Sequence, residues 1–86
     1  MRFTVVWSPA AEEDLAEIWI RADNRNAVAQ AVNQLDMALA RDPNDQGESR
    51  QEGVRVTFAT PLGINFEVHS ADRQVRVLAI WRTDRR

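Results

Sequence analysis

The order of apolar and polar positions divides the chain into two regimes. In Arg2–Trp7, Phe3, Val5 and Trp7 alternate with Arg2, Thr4 and Val6, and the β-branched content supports a first strand. Ser8-Pro9 then reads as an N-cap followed by proline at the first helical position, where a missing N–H costs nothing. Ala11, Leu15, Ile18, Trp19 and Ala22 recur at helical spacing and form one face. Asp23-Asn24-Arg25-Asn26 is a polar break in which Asn24 or Asn26 is available as a cap. The spacing of Val28, Val32, Leu35 and Leu39, widened by Ala31 and Ala38, predicts a second helix from about Ala27 to Arg41. So short a break favours an antiparallel helical hairpin. Asp42-Pro43 ends it, because a residue before proline is pushed away from the α region.

Asn44–Gly53 is polar and bounded by glycine, and is expected to be a surface loop. Beyond it the period changes from 3.6 to 2. Val54, Val56 and Phe58 alternate with Arg55 and Thr57, and Ile64, Phe66 and Val68 alternate with Asn65 and Glu67. Ala59–Gly63, with Pro61 and Gly63, suits a turn between antiparallel strands, and His69–Arg73 suits a second turn. Val75–Trp81 is apolar on both faces apart from Arg76, as in a central strand, and Thr83–Arg86 is a polar tail. The predicted fold class is α+β, in the order β-α-α-β-β-β: an antiparallel sheet with the helical hairpin packed on one face.

Eighty-six residues are enough for one domain, taken as 1–86. A chain of this size buries roughly 60–65% of the surface its unfolded form exposes, so function is expected on a surface or groove. The absence of cysteine excludes disulfides and thiolate metal sites and fits a reducing cytoplasm. The N-terminal apolar run is too short for a signal segment or a membrane span, so no membrane partner is expected. All eleven cations are arginines. Residues 1–49 carry a balance of −5 and residues 50–86 a balance of +3, so a surface built from the second half would be basic. A dedicated nucleic-acid binder usually carries more positive charge than the net −2 found here.

Four fragments, in this order and spacing, resemble the RelE/ParE toxin superfamily of type II toxin–antitoxin systems, the group that includes plasmid stabilisation proteins. They are Val6-Trp7-Ser8-Pro9-Ala10-Ala11-Glu12-Glu13-Asp14-Leu15, with its A-x-x-D-L pattern, and Leu39-Ala40-Arg41-Asp42-Pro43, closing the second helix. Gly53-Val54-Arg55-Val56 supplies glycine followed by arginine on the next strand. Ile64-Asn65-Phe66-Glu67-Val68, a charged turn and Val75-Arg76-Val77-Leu78-Ala79-Ile80-Trp81-Arg82 complete the set. The resemblance spans roughly residues 3–82. It implies a bacterial, cytoplasmic toxin that inhibits growth and is neutralised by a cognate antitoxin whose C-terminal segment wraps it. RelE-like members enter the ribosome and cut mRNA; ParE-like members inhibit DNA gyrase.

Metal-free RNA cleavage needs a base for the 2′-hydroxyl, cations for the phosphorane charge and an acid for the leaving oxygen. RelE-like enzymes meet this with lysines, arginines and a tyrosine. This chain has no lysine and no tyrosine, and the family's third-strand arginine would fall near Gly63 or Ile64, where none stands. Arg55 matches the family's glycine-x-arginine position and Arg82 lies near its basic C-terminal position, so these two are the candidates for a catalytic role. Arg76, Arg85 and Trp81 are candidates for contacting a target or a phosphate. Arginine stabilises phosphate charge bidentately but is a poor general base, with a pKa above about 12. The bland alternative makes these arginines solvated strand positions facing away from the helices.

His69, beside a turn, is expected to be exposed, and with no second His or Cys a metal site is not expected. No cofactor motif occurs. The Glu12/Glu13/Asp14/Glu17 cluster reads as helix-dipole and solvation chemistry. Trp7, Trp19 and Trp81 sit at inward-looking positions, so core is expected for at least two of them, with Trp81 the one that could border a groove. Three functions therefore compete: a toxin acting by binding, a ribosome-dependent mRNA endonuclease, and a toxin-derived interaction module without toxicity.

Overall fold

The computed structural model describes residues 2–51 and 53–84. Strand β1 (Thr4–Trp7) passes directly into helix α1 (Pro9–Arg21). Ser8 makes the junction. Its backbone is extended (φ −62°, ψ 159°), and its hydroxyl oxygen accepts the Ala11 N–H at 3.1 Å. The same hydroxyl donates to the Leu78 carbonyl at 3.1 Å, so one side chain caps the helix and ties it to the sheet.

Helix α2 (Arg25–Arg41) begins after a break of Ala22–Asn24, with Asn24 Oδ1 accepting the Ala27 N–H at 3.0 Å. Of the two asparagines available, Asn24 is the cap. Arg25 donates back to the carbonyls of Trp19 (2.9 Å) and Ile20 (3.3 Å), satisfying the last turn of α1, and its guanidinium lies 5.8 Å from the Trp19 ring centre. Asp42 ends α2, and Pro43–Asp45 forms a single 3-10 turn.

The remaining strands are β2 (Glu48–Gln51), β3 (Val54–Ala59), β4 (Leu62–His69) and β5 (Gln74–Arg82), in the spatial order β1-β5-β4-β3-β2. The β2-β3-β4-β5 meander is antiparallel, and the turn signals predict its last three strands. Three details differ from the sequence reading. The sheet is mixed, because β1 joins it parallel to β5 with Val5 opposite Val75. In addition, Asn44–Gly53 is not only loop: Gly47, at φ +63°, turns the chain so that Glu48–Gln51 pairs with β3. All four β2 residues are exposed, and an edge strand without a buried face leaves no alternation to detect. The β3–β4 turn is also tighter than expected, with β4 already under way at Leu62.

The core lies between the hairpin and one face of the sheet. Ala11, Val28, Ala31, Leu35 and Leu39 meet Leu62, Ile64, Phe66, Val75, Val77 and Ile80. Each fully buried large side chain contributes about 1.5–3 kcal/mol relative to an exposed one. Cross-strand register then assigns the faces. Arg55 stands opposite Phe66, which stands opposite Val77, so this row is turned toward the helices. The next rows, Val56–Asn65–Ala79 and Phe58–Gly63–Trp81, are turned away from them. The apolar half of the β3 alternation therefore lies on the open face of the sheet.

Candidate functional site

The arginines singled out from sequence fall on different surfaces. Arg55 points to the helix side, where its guanidinium donates to the carbonyls of Gln46 (2.9 Å) and Gly47 (3.0 Å). It holds the turn that leads into β2. Arg82 is forked on Asp84, Nε to Oδ1 at 3.0 Å and the terminal nitrogen to Oδ2 at 3.1 Å. That hydrogen-bonded pair raises the Arg82 pKa further and lowers that of Asp84. Arg55 is level with Val77, whereas Arg82 is five residues further along β5 and two strands across. One of those five is a bulge residue, so the separation is four strand positions, about 13 Å along the sheet and about 10 Å across it. The structure does not bring the two together. Arg76 is exposed on the open face opposite Glu67, and Arg85 lies outside the described residues.

Of the three tryptophans only Trp7 packs against the core; Trp19 and Trp81 are 41% and 36% exposed. The expectation of at least two core tryptophans is corrected, because strand register turns Trp81 to the open face and Trp19 lines the groove between the two helices. Trp81 does border a groove. On the open face its ring meets that of Phe58 edge-on, with centroids 6.3 Å apart. Both rings close over Gly63, where a Cβ would lie within 2.6 Å of Trp81 Nε1 and 2.9 Å of Phe58 Cδ1. Beside them the Asn65 side-chain oxygen is buried and finds no partner among the described residues.

Helix α1 is the shared wall of two grooves. One, of about 570 Å³, runs between α1 and α2 and is lined mainly by apolar side chains, among them Leu15, Trp19, Ile20, Val28 and Val32. The other, of about 600 Å³, runs between α1 and the end of β5, with Asp14, Glu17, Ile18 and Arg21 on one side and Ile80, Trp81 and Arg82 on the other. Sequence assigned Asp14 to the helix dipole. The structure gives it a tertiary role as well: Asp14 Oδ2 accepts the Ile80 N–H at 3.2 Å, fastening α1 to β5. The A-x-x-D-L pattern was the available signal, since it places a carboxylate one turn beyond buried Ala11.

His69 is exposed and lies 3.1 Å from Glu67. Among the described residues no group of His, Cys, Asp and Glu is arranged to hold a metal, and no helix is long and apolar enough to cross a membrane.

This architecture, a helical hairpin on a five-stranded sheet, is shared with solved toxin structures. The chain superposes on the RelBE2 toxin–antitoxin complex of Mycobacterium tuberculosis with a TM-score of 0.78 at 19% identity, covering 95% of this chain and 99% of that one. The ParDE system of Pseudomonas aeruginosa gives 0.73 at 20% identity, covering 96% and 98%. A variant of the Escherichia coli toxin RelE in its free state gives 0.73 at 8% identity, covering 98% and 86%. At these identities the likeness is one of fold. No curated protein matches the chain in sequence. The family model described as the ParE toxin of the type II toxin–antitoxin system parDE matches residues 5–86. The chain therefore belongs to the ParE toxin family and is a type II toxin.

Proposed function

We propose that this toxin arrests growth by binding a core cellular target, without cutting RNA, and that a cognate antitoxin neutralises it. The observation that carries the reading is the fate of the two candidate catalytic arginines. Arg55 is spent on main-chain carbonyls and Arg82 on Asp84, about 16 Å apart by strand geometry, in a chain with neither lysine nor tyrosine. Neither arginine is left in position to act with the other on one phosphodiester. The family match supports DNA gyrase as the target in preference to the ribosome and its mRNA.

The antitoxin is assigned to the α1–α2 groove. Ile20, 70% exposed, and Trp19 stand at its end, and an amphipathic helix would cover its apolar walls. The neighbouring structures support a protein partner, since those of M. tuberculosis and P. aeruginosa are of toxin–antitoxin systems.

Induced expression of the chain alone is expected to stop growth while cellular transcripts stay intact, with purified gyrase losing supercoiling activity on addition of the protein. Transcripts cleaved within ribosomes would favour the endonuclease reading. Unimpaired growth, with a small partner still captured, would favour a non-toxic interaction module.

A further inference from the structure

The open face of the sheet presents three rows of side chains, and register fixes what stands in each. On β4 the order along the strand is Glu67, Asn65, Gly63; on β5 it is Arg76, Ala79, Trp81. The two strands keep step through a bulge: Asn65 pairs with Ala79 but Phe66 with Val77, which leaves Leu78 as an extra residue. Without it, Arg76 and Trp81, five residues apart, would fall on opposite faces. On β3 the rows hold Val54, Val56 and Phe58. The middle row, Ala79–Asn65–Val56, is therefore low. It runs between an aromatic row and a row that carries a guanidinium beside a carboxylate.

Two features of this face have no counterpart within the chain. Phe58 and Trp81 are 56% and 36% exposed although they lie together. The Asn65 side-chain oxygen is buried, and none of the described residues donates to it. A phosphate backbone is a poor occupant, because Glu67 and Glu48, the latter opposite Val56, outnumber Arg76 here. A fitting partner brings a cation for the indole, an apolar side chain for Phe58 and an amide between them. The face carries that set itself, in the complementary order.

We infer that two copies of the chain pair through their open sheet faces, about a two-fold axis lying along the row Ala79–Asn65–Val56. Such an axis lays each strand on its own copy with the outer rows exchanged. Trp81 then receives Arg76 of the second copy over its ring, and Phe58 meets Val54 of the second copy. Asn65 lies on the axis and meets its own copy. Facing sheets stand about 10 Å apart, a gap that two asparagine side chains joined by a hydrogen bond span. Rotation of the amide turns each oxygen to the N–H of the other, so both are satisfied. A two-fold along β4 would instead set Glu67 on Glu67, a like-charge contact that disfavours that arrangement. With the axis along the middle row, Glu48 is the described carboxylate set toward its like. It stands exposed on the edge strand two strands from Asn65, where the twist splays facing sheets. Pairing through this face leaves the α1–α2 groove free, so it goes beyond the antitoxin reading and does not depend on it.

The test uses the full-length toxin purified free of antitoxin. Sedimentation equilibrium should approach twice the mass of the chain as concentration rises. Arg76→Glu alters an exposed side chain and sets a carboxylate over the indole, and should raise the dissociation constant by roughly tenfold or more. Arg76→Lys keeps the cation and should retain most of the pairing. The chain has no cysteine, so single cysteines report which faces meet. Ala79→Cys, on the axis, should be joined to a second copy by a short bismaleimide; Met37→Cys, 62% exposed on α2, should not. A monomer at every concentration overturns the proposal. So does a dimer that Arg76→Glu leaves unchanged, or one joined through Met37→Cys and not through Ala79→Cys. Protection of the Ala79→Cys thiol in a monomer, by a single-stranded oligonucleotide or by gyrase, also overturns it and assigns the face to that partner. Should Ala79→Cys fail to fold, sedimentation of the unsubstituted and Arg76→Glu chains decides alone.

Discussion

Gly63 shows how much one missing side chain decides on this sheet. Phe58 and Trp81, from the strands on either side, converge over it and cover backbone that would otherwise be bare on the open face. Gly63→Ala puts a methyl group inside both rings' contact distance, so one ring must leave its position. The expected cost is about 1–3 kcal/mol, measured as a lowered denaturation midpoint with unchanged slope. Full stability in that variant would mean that the rings do not close there. At Arg82 and Asp84 the charges set the pH response. Arg82's hydrogen bonds hold the Asp84 carboxyl below the usual range near about 3.9, and Arg82 itself is raised, so it stays charged throughout. The fork is therefore present above the ordinary carboxylate pKa and is lost as pH falls through the depressed one. The Arg82 Nε–H resonance, followed from neutrality into acid, should keep its bonded position until pH drops below that range; a transition at or above it would contradict the pairing.

Among the elements, α1 is tied down at its start, its middle and its end. Ser8 caps its start and holds the Leu78 carbonyl, Asp14 fastens its middle to Ile80, and Arg25 closes its last turn. Ser8→Ala breaks the cap and the cross-link together, and should cost about 1–2 kcal/mol in chemical denaturation. The loss should exceed that of Asn24→Ala, which removes only the cap of α2; equal losses would show that the Leu78 bond contributes nothing. Both helices were readable in advance because capping and a 3.6-residue apolar repeat are local signals. β2 was not. Its pairing depends on a turn at Gly47 and on Arg55, nine residues from the Gln46 carbonyl it binds, and its own residues are polar throughout.

For the molecule as a whole, the hairpin groove and the open sheet face are separate apolar surfaces on opposite sides. Ile20→Glu places a charge in the first without entering the core, since Ile20 is mostly exposed. It should leave thermal stability within about 0.5 kcal/mol while weakening antitoxin binding by more than tenfold, read by calorimetric titration and by failure of co-expression to rescue growth. Unchanged neutralisation would move the antitoxin elsewhere. Growth arrest by the variant expressed alone should persist, because the groove is assigned to the partner and not to the target.

From the sequence alone came the two helices, the Ser8 cap, the last three strands and the apolar stripes of both helices, because each depends on neighbours within a few positions. The family resemblance was legible in the same way, in short fragments at fixed spacing. Register and crossover decided the rest. Whether a strand residue faces the helices or the open side depends on pairing with strands far away in the chain, so Phe58 and Trp81 emerged on the free face and Arg55 under the helices. The order of side chains on that face is likewise a tertiary fact: the bulge at Leu78 puts Arg76 and Trp81 in the rows on either side of Ala79. Such a bulge has no signature in the local pattern of β5.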